Sequence, residues 1–157
     1  MIIEQTDLIN APIELVMQMM SEVERIPTWA TVEGEISQVQ GSGRDMTYAW
    51  RFTVDGLDFE GRSRVIEQTD KTLITETSGD VASIWSINLT PVGQDQTMMQ
   101  VVVEYTPPNT FMEVLTDVVL QRYATPNEAY ENMRCFKAMV EEEVSITQLI
   151  SLSSDGR

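Results

Sequence analysis

Apolar and polar residues alternate through much of the chain, which is the pattern of β-strands with one buried face. Residues 2–9 predict a first strand. From about residue 32 to residue 105 the period is two, and it predicts about six further strands. The clearest of them occupy residues 46–54, 57–65, 72–78, 83–91 and 97–105. Because the strands follow one another without intervening helices, we expect an antiparallel sheet with one apolar face.

The strongest local signal is Asp55-Gly56, which stands between two alternating segments. This dipeptide predicts a two-residue hairpin turn with positive φ at both positions, and such a turn determines the register. The pairs predicted to share the buried face are Met46–Val65, Tyr48–Ser63, Trp50–Gly61, Phe52–Phe59 and Val54–Leu57. On the outer face Arg51 lies opposite Glu60, and we expect these two side chains to form an ion pair.

The pairing of Trp50 with Gly61 has two interpretations. The glycine either lets the indole lie across the neighbouring strand or opens space beside it. In this register Arg62 and Arg64 point outward, away from the apolar face. A β-bulge near Gly61 would reverse their direction and carry both guanidinium groups inward.

The turn around residues 68–71 leaves the register of the next strand open. A two-residue loop would place Ile74 on the inner face, whereas a three-residue loop would place Leu73 there, together with Thr75 and Thr77. In the last two strands the inward positions are Trp85, Ile87, Leu89, Met99, Val101, Val103 and Tyr105.

A first helix is predicted directly after residue 9. Asn10 or Ala11 lies near its cap, and Pro12 is suited to its first turn. Its apolar stripe consists of Ile13, Val16, Met17 and Met20, at spacings of three and four residues. Pro27 interrupts the pattern, so residues 21–30 form a short second helix or turn that positions Trp29.

Two further helical segments follow the sheet, which Pro107-Pro108 ends. Residues 110–121 are helical by pattern, and Thr125-Pro126-Asn127-Glu128 is a capping box with proline at the first helical position. The stripe of the last helix consists of Tyr130, Met133, Phe136, Val140 and Val144. We expect this helix to reach residue 144 and to extend to about 149. Residues 1–150 then form one domain, and 151–157 form a flexible tail.

The predicted fold class is α+β. A strongly curved antiparallel sheet of six or seven strands wraps around one long C-terminal helix, with two short helices after the first strand. One helix of about 10 Å diameter cannot fill the concave face of such a sheet. We therefore expect an apolar pocket between the sheet and the helix.

Several short motifs, in a characteristic order, resemble the SRPBCC superfamily. They are Ile9-Asn-Ala-Pro12 with Val16, Ile26-Pro-Thr-Trp29, the Asp55-Gly56 hairpin, Leu89-Thr-Pro91 with Thr97, and Asn132 before Phe136-Lys137 and Glu141. The superfamily includes START domains, birch-pollen-allergen-like proteins, and bacterial polyketide cyclase/dehydrase and lipid-transport proteins. The resemblance covers residues 1–145 and implies the helix-grip fold with a hydrophobic ligand cavity.

The predicted inner face is rich in aromatic and sulfur-containing side chains. The candidate ligand-binding residues are Trp29, Tyr48, Trp50, Phe52, Phe59, Ser63, Trp85, Tyr105, Phe111, Met133 and Phe136. Most of them could equally fill a core. The polar members Tyr48, Ser63 and Tyr105 could orient a ligand hydroxyl or carbonyl, and the same holds for Thr75 or Thr77 if the loop has three residues.

The amino-acid composition limits the classes of ligand and the kinds of catalytic or metal site that the chain could have. The 157 residues include 25 acidic and 10 basic side chains, a net charge of −15, which disfavours nucleic acids and anionic membrane surfaces. There is no histidine, which excludes Ser-His-Asp and Cys-His nucleophile pairs and His-ligated zinc. A single cysteine, Cys135, suits a reducing compartment and is interpreted as an inert thiol. The acidic run 141–143 fits a solvated helix face. We expect no metal, cofactor or catalytic residue.

The preferred function is binding or transport of a hydrophobic small molecule, such as a lipid, isoprenoid, quinone or polyketide-like compound. Ligands would pass between residues 107–126 and the hairpin tips. The first alternative is a polyketide cyclase- or dehydratase-like enzyme that uses Tyr48 with an inward Arg62 or Arg64. The second is a partner-regulating module of the same fold. We expect a cytoplasmic monomer or weak homodimer without membrane insertion.

Overall fold

The computed structural model describes residues 2–106 and 125–155, the last five of these by their backbone only. The strands are β1 (Ile2–Ile9), β2 (Glu33–Gln40), β3 (Thr47–Val54), β4 (Leu57–Gln68), β5 (Thr72–Gly79), β6 (Ser83–Val92) and β7 (Gln96–Tyr105). The helices are α1 (Ile13–Ser21), α2 (Ile26–Trp29) and α3 (Pro126–Asp155), with a 3₁₀ turn at Val23–Arg25. The predicted helix at 110–121 lies outside the described residues.

The seven strands form one curved antiparallel sheet in the order β1-β7-β6-β5-β4-β3-β2. This is the predicted α+β helix-grip architecture, with α1 and α2 after the first strand and α3 on the inner side. The hairpin prediction is confirmed, because every pair from Thr47↔Arg64 to Val54↔Leu57 has the expected register. Asp55 and Gly56 have φ values of 51° and 76°, the positive pair that this turn requires.

Two details of the hairpin differ from the predictions. Leu57, assigned to the buried face, is 52% exposed because it lies at the hairpin tip. Arg51 forms its ion pair with Asp58, at 2.7 Å, instead of with Glu60 directly opposite. Asp58 is the diagonal neighbour, and Thr53 also donates a hydrogen bond to it at 2.7 Å.

The loop between β4 and β5 has three residues, so Leu73 is the inward residue and is 4% exposed. Thr75 is buried on the same face. The pairing shifts between Val65 and Glu67, which places a bulge in β4 at Ile66. No shift interrupts the β3–β4 register near Gly61, so the alternative in which a bulge there reverses the arginines is wrong.

The helix starts follow the sequence signals with small changes. Pro12 is the N-cap of α1, so the cap lies one residue later than the predicted Ala11, and the Pro12 carbonyl accepts the Val16 N–H at 3.1 Å. At α3 the Glu128 N–H donates to the Thr125 hydroxyl at 3.2 Å, which is one half of the predicted capping box. The helix continues to Asp155, so the predicted division at residue 150 stays a prediction.

The apolar stripe of α3 forms the centre of the core. Met133, Phe136 and Val140 are 5%, 1% and 0% exposed, as the pattern predicts, whereas Tyr130 is 51% exposed. The predicted stripe is therefore wrong at its first member. In the described parts of the chain, no helix combines the length and the apolar character needed to cross a bilayer.

Three residues of the motifs that resemble the SRPBCC superfamily form hydrogen bonds between distant segments of the chain. The Asn132 side-chain oxygen accepts the Thr31 N–H at 2.9 Å, which ties the end of α2 to α3. The Glu141 carboxylate accepts the Asn10 N–H at 2.9 Å, beside the start of α1. The Thr97 hydroxyl donates a hydrogen bond to the Ala11 carbonyl oxygen. These bonds hold the helices against the sheet and so define the space that remains between them.

Candidate functional site: an apolar cavity

A cavity of about 300 Å³ lies between the inner face of the sheet and the helices α2 and α3. Ten of the eleven predicted site residues line it: Trp29, Tyr48, Trp50, Phe52, Phe59, Ser63, Trp85, Tyr105, Met133 and Phe136. Phe111 and most of the predicted opening at 107–126 lie outside the described residues. A volume of this size is at the lower end of the range of small-molecule sites.

The aromatic wall on the sheet side of the cavity depends on the close contact between Trp50 on β3 and Gly61 on β4. The indole of Trp50 lies so close to Gly61 that a Cβ atom there would collide with the ring. Of the two interpretations of this pair, the structure therefore shows the indole lying across the strand. Trp50 also stacks on Phe52, with ring centroids 5.9 Å apart and planes at 27°.

The opposite wall is formed by the helices. The ring of Trp29, at the end of α2, meets the ring of Phe136 edge to face, with centroids 5.5 Å apart and planes at 71°. Met133 lies one turn before Phe136 and is also buried. The short second helix thus positions Trp29 as predicted, against the stripe of α3.

The polar groups of the wall are mainly hydroxyls. Ser63 and Thr77 share a hydrogen bond of 2.8 Å, and the Trp85 indole N–H donates to the Ser83 hydroxyl at 3.2 Å. Burial raises the pKa of Tyr48 above its ordinary value, and a hydrogen bond with Ser63 offsets part of that rise. Burial also raises the pKa of Tyr105. Both phenols are therefore neutral near pH 7.

Some lining residues are not among those predicted from the sequence. Ser83 has the inward parity of Trp85 and could have been found from the alternation. Thr31, Glu128 and Asn132 form a second polar group where α2 meets α3, and the Thr31 hydroxyl donates to the Glu128 carboxylate at 2.9 Å. No local pattern marks this group, because it depends on how the two helices pack.

The charged side chains constrain the possible chemistry. Among the described lining residues, Glu128 is the one charged group. Arg62 and Arg64 lie on the outer face of the sheet, where Arg62 donates to the side chain of Gln38 at 2.8 Å. Cys135 is half-buried. Within residues 2–106 and 125–155, no cluster of three or more acidic or cysteine side chains could hold a metal ion.

The chain was compared with protein-family models, with curated proteins and with solved structures. No protein-family model matches the chain, and no curated protein matches its sequence. Solved structures do match. The Zhui aromatase/cyclase from Streptomyces sp. R1128 superposes with a TM-score of 0.73 at 11% identity, over 92% of this chain and 95% of the other.

Two further structures extend the comparison. A START superfamily protein from Mycobacterium smegmatis has a TM-score of 0.63 at 16% identity, over 90% of this chain and 97% of its own. A point mutant of norcoclaurine synthase from Thalictrum flavum, in complex with a transition-state analogue, has a TM-score of 0.63 at 14% identity, over 91% and 95%. The chain therefore shares the fold of these structures, and this is the helix-grip fold that the resemblance of its sequence motifs implies.

Proposed function

We propose that this protein binds or carries a hydrophobic small molecule in the cavity between the sheet and α3. Lipids, isoprenoids, quinones and polyketide-like compounds belong to this class. The observation that carries the proposal is the cavity itself, which is lined by aromatic, aliphatic and methionine side chains on both walls. Burial of apolar ligand surface provides about 25 cal/mol per Å², and the wall hydroxyls orient the ligand.

The electrostatics of the cavity support binding over acid–base catalysis. The enzymatic alternative requires Arg62 or Arg64 beside Tyr48, and both arginines lie on the outer face. Tyr48 is buried and its pKa is raised, so its proton is held more tightly than in water. Such a phenol is suited to donating a hydrogen bond to a ligand.

Native mass spectrometry of the full chain, purified by gentle extraction, tests the proposal. We expect an additional mass of a lipophilic compound that dissociates on collisional activation. A matched pair of variants locates the site on β7. Val101 lines the cavity, whereas the adjacent Val102 points to the other face of the sheet.

Val101→Phe places a ring in the cavity and should remove the bound mass, whereas Val102→Phe should retain it. Thermal unfolding of both variants verifies that they are folded. A wild-type protein that carries no lipophilic compound and binds no added apolar probe would contradict the proposal. Equal loss of ligand in both variants would place the compound outside the cavity.

A further inference from the structure

Five hydroxyl side chains form a continuous row across the cavity wall. The cross-strand register pairs Tyr48 with Ser63, Ser63 with Thr77, Thr77 with Ser83, and Ser83 with Tyr105. All five residues line the cavity, one from each of the strands β3 to β7. The row therefore runs perpendicular to the strands through a wall that is otherwise mostly apolar.

Neighbouring strands are about 4.8 Å apart, so five strands spread the row over about 19 Å. The backbone positions that carry the hydroxyls thus recur at intervals of about 5 Å, and the Ser63 and Thr77 hydroxyl oxygens come within 2.8 Å of each other. The rows on either side are different: on one side Trp50, Gly61 and Gly79 stand opposite one another, and on the other Val65, Thr75, Trp85 and Val103. The polar character is concentrated in a single row.

The hydroxyls retain hydrogen-bonding capacity after their internal contacts. Each hydroxyl has one donor and two acceptor positions. The Ser63–Thr77 bond, the Tyr48–Ser63 bond and the bond from Trp85 to Ser83 use only part of that capacity. A ligand oxygen that lies along the row can therefore bond to it without breaking the contacts that hold the row together.

A second observation points to an oxygen-bearing ligand. The indole N–H of Trp50, in the adjacent row, is buried without a hydrogen-bond partner among the described residues. A buried donor left unpaired is unfavourable, so a ligand acceptor that reaches this edge of the ring would be favoured. A pure hydrocarbon in the cavity would leave this cost in place.

The charge of the described lining disfavours anionic ligands. The described lining contains no lysine or arginine, and its one charged group is the Glu128 carboxylate. The whole chain has a net charge of −15. A carboxylate or phosphate in the cavity would be desolvated without a cationic partner and repelled by the surrounding field.

We propose that the cavity selects uncharged apolar ligands that have two or more hydroxyl or carbonyl oxygens along one edge, and that the hydroxyl row forms hydrogen bonds to those oxygens. This inference rests on the proposed function and narrows it to one class of ligand. Hydrocarbons and anionic amphiphiles are the classes that it excludes.

Four naphthalene probes test the selectivity by ligand-observed NMR on the full chain: naphthalene, 1-naphthol, 1,3-dihydroxynaphthalene and 1-naphthoate. The two oxygens of the diol are spaced about as far apart as neighbouring strands, about 5 Å. One good hydrogen bond corresponds to about a tenfold change in affinity. We expect the diol to bind about tenfold more tightly than naphthalene, naphthol to be intermediate, and naphthoate to be the weakest.

Two isosteric variants distinguish the contribution of the hydroxyl row to binding from that of a neighbouring hydroxyl. Thr77→Val removes a hydroxyl from the row, whereas Thr75→Val removes one from the neighbouring row on the same strand. Thr77→Val should abolish most of the preference for the diol while naphthalene binding stays within twofold. Thr75→Val should retain the preference. Ser63→Ala repeats the first test if Thr77→Val does not fold.

This inference, but not the proposed function, would be overturned if naphthalene and the diol bound equally well. It would also be overturned if Thr75→Val and Thr77→Val changed the preference for the diol equally. Tight binding of naphthoate would also overturn it. Failure of all four probes to bind, together with native mass spectra unaltered by Val101→Phe, would contradict the proposed function as well.

Discussion

The indole of Trp50 lies directly over the backbone of Gly61, its cross-strand partner in the β3–β4 hairpin. A Cβ atom at Gly61 would collide with the six-membered ring of the indole and, on the neighbouring strand, with the Ser78 carbonyl oxygen. The glycine thus allows a large aromatic side chain to lie flat against the sheet. One wall of the cavity depends on this contact.

Gly61→Ala should therefore destabilise the protein, by an amount on the order of 3 kcal/mol, because both the ring and a backbone strand must move. Gly43→Ala is the matched control. Gly43 has a φ of +67° and open space around its Cα, so alanine there introduces backbone strain of about 1 kcal/mol without a collision.

Urea unfolding of both variants compares the two costs. The tryptophan emission of the Gly61 variant should also shift, because Trp50 loses its position against the strand. A Gly61→Ala protein that is as stable as the Gly43→Ala protein would show that the collision is relieved at little cost.

The fold could be predicted in detail wherever one local signal determines a long register. Asp55-Gly56 is such a signal, and the whole hairpin followed from it. The errors at Leu57 and Tyr130 have a different origin. Periodicity indicates which face of an element is apolar, but how far that face is covered depends on the elements packed over it, and these two residues are exposed.

The candidate site was predictable to the extent that it depends on strand parity. Parity alone placed Tyr48, Ser63 and Tyr105 on the inner face. The continuity of the hydroxyl row was not predictable, because the sequence did not determine whether the loop before β5 has two or three residues, and this length decides the direction of Thr77. The contacts of Thr31 with α3 could not be predicted either, since they join residues about 100 positions apart.

A buried hydroxyl anchors the start of α1 to the sheet. Thr97 is 0% exposed and donates to the Ala11 carbonyl at 2.8 Å. Thr97→Val keeps the shape but leaves that carbonyl without its donor, so the free energy of unfolding should fall by about 1–3 kcal/mol. Thr97→Ser keeps the hydroxyl and should lose only about 1 kcal/mol of apolar burial.

Chemical denaturation of these two variants measures the difference. Thr90→Val, at an exposed position on β6, is the control for adding a β-branched apolar side chain to the sheet. A Thr97→Val protein that is more stable than Thr97→Ser would contradict the importance of this hydrogen bond.

The carboxyl group of Asp58 is held by two donors on the outer face of the hairpin. The Thr53 hydroxyl lowers its pKa most, and the Arg51 guanidinium, 2.7 Å away, lowers it further. Thr53→Val and Arg51→Gln should each raise the pKa of Asp58, as followed by carboxyl-carbon NMR. Because salt screens exposed ion pairs, the effect of Arg51→Gln should shrink in high salt while that of Thr53→Val remains. An unshifted pKa in the wild-type protein would contradict both contacts.

Tyr48 and Tyr105 should make stability decrease at alkaline pH. Burial raises the pKa of both phenols in the folded state, whereas in the unfolded chain they ionise near pH 10. Above that pH the unfolded state binds fewer protons than the folded state, so the free energy of unfolding falls as the pH rises. Their contribution is complete below pH 10 and is lost as the pH rises towards the raised pKa values.

Urea unfolding between pH 9 and 11 measures this slope, which can reach about 1.4 kcal/mol per pH unit for each buried phenol. Tyr48→Phe and Tyr105→Phe should each make the slope shallower. Tyr130→Phe, at a residue that is 51% exposed, is the control for replacing a tyrosine outside the cavity. If all three variants change it equally, or none does, the two cavity phenols are not the groups that couple folding to alkaline pH.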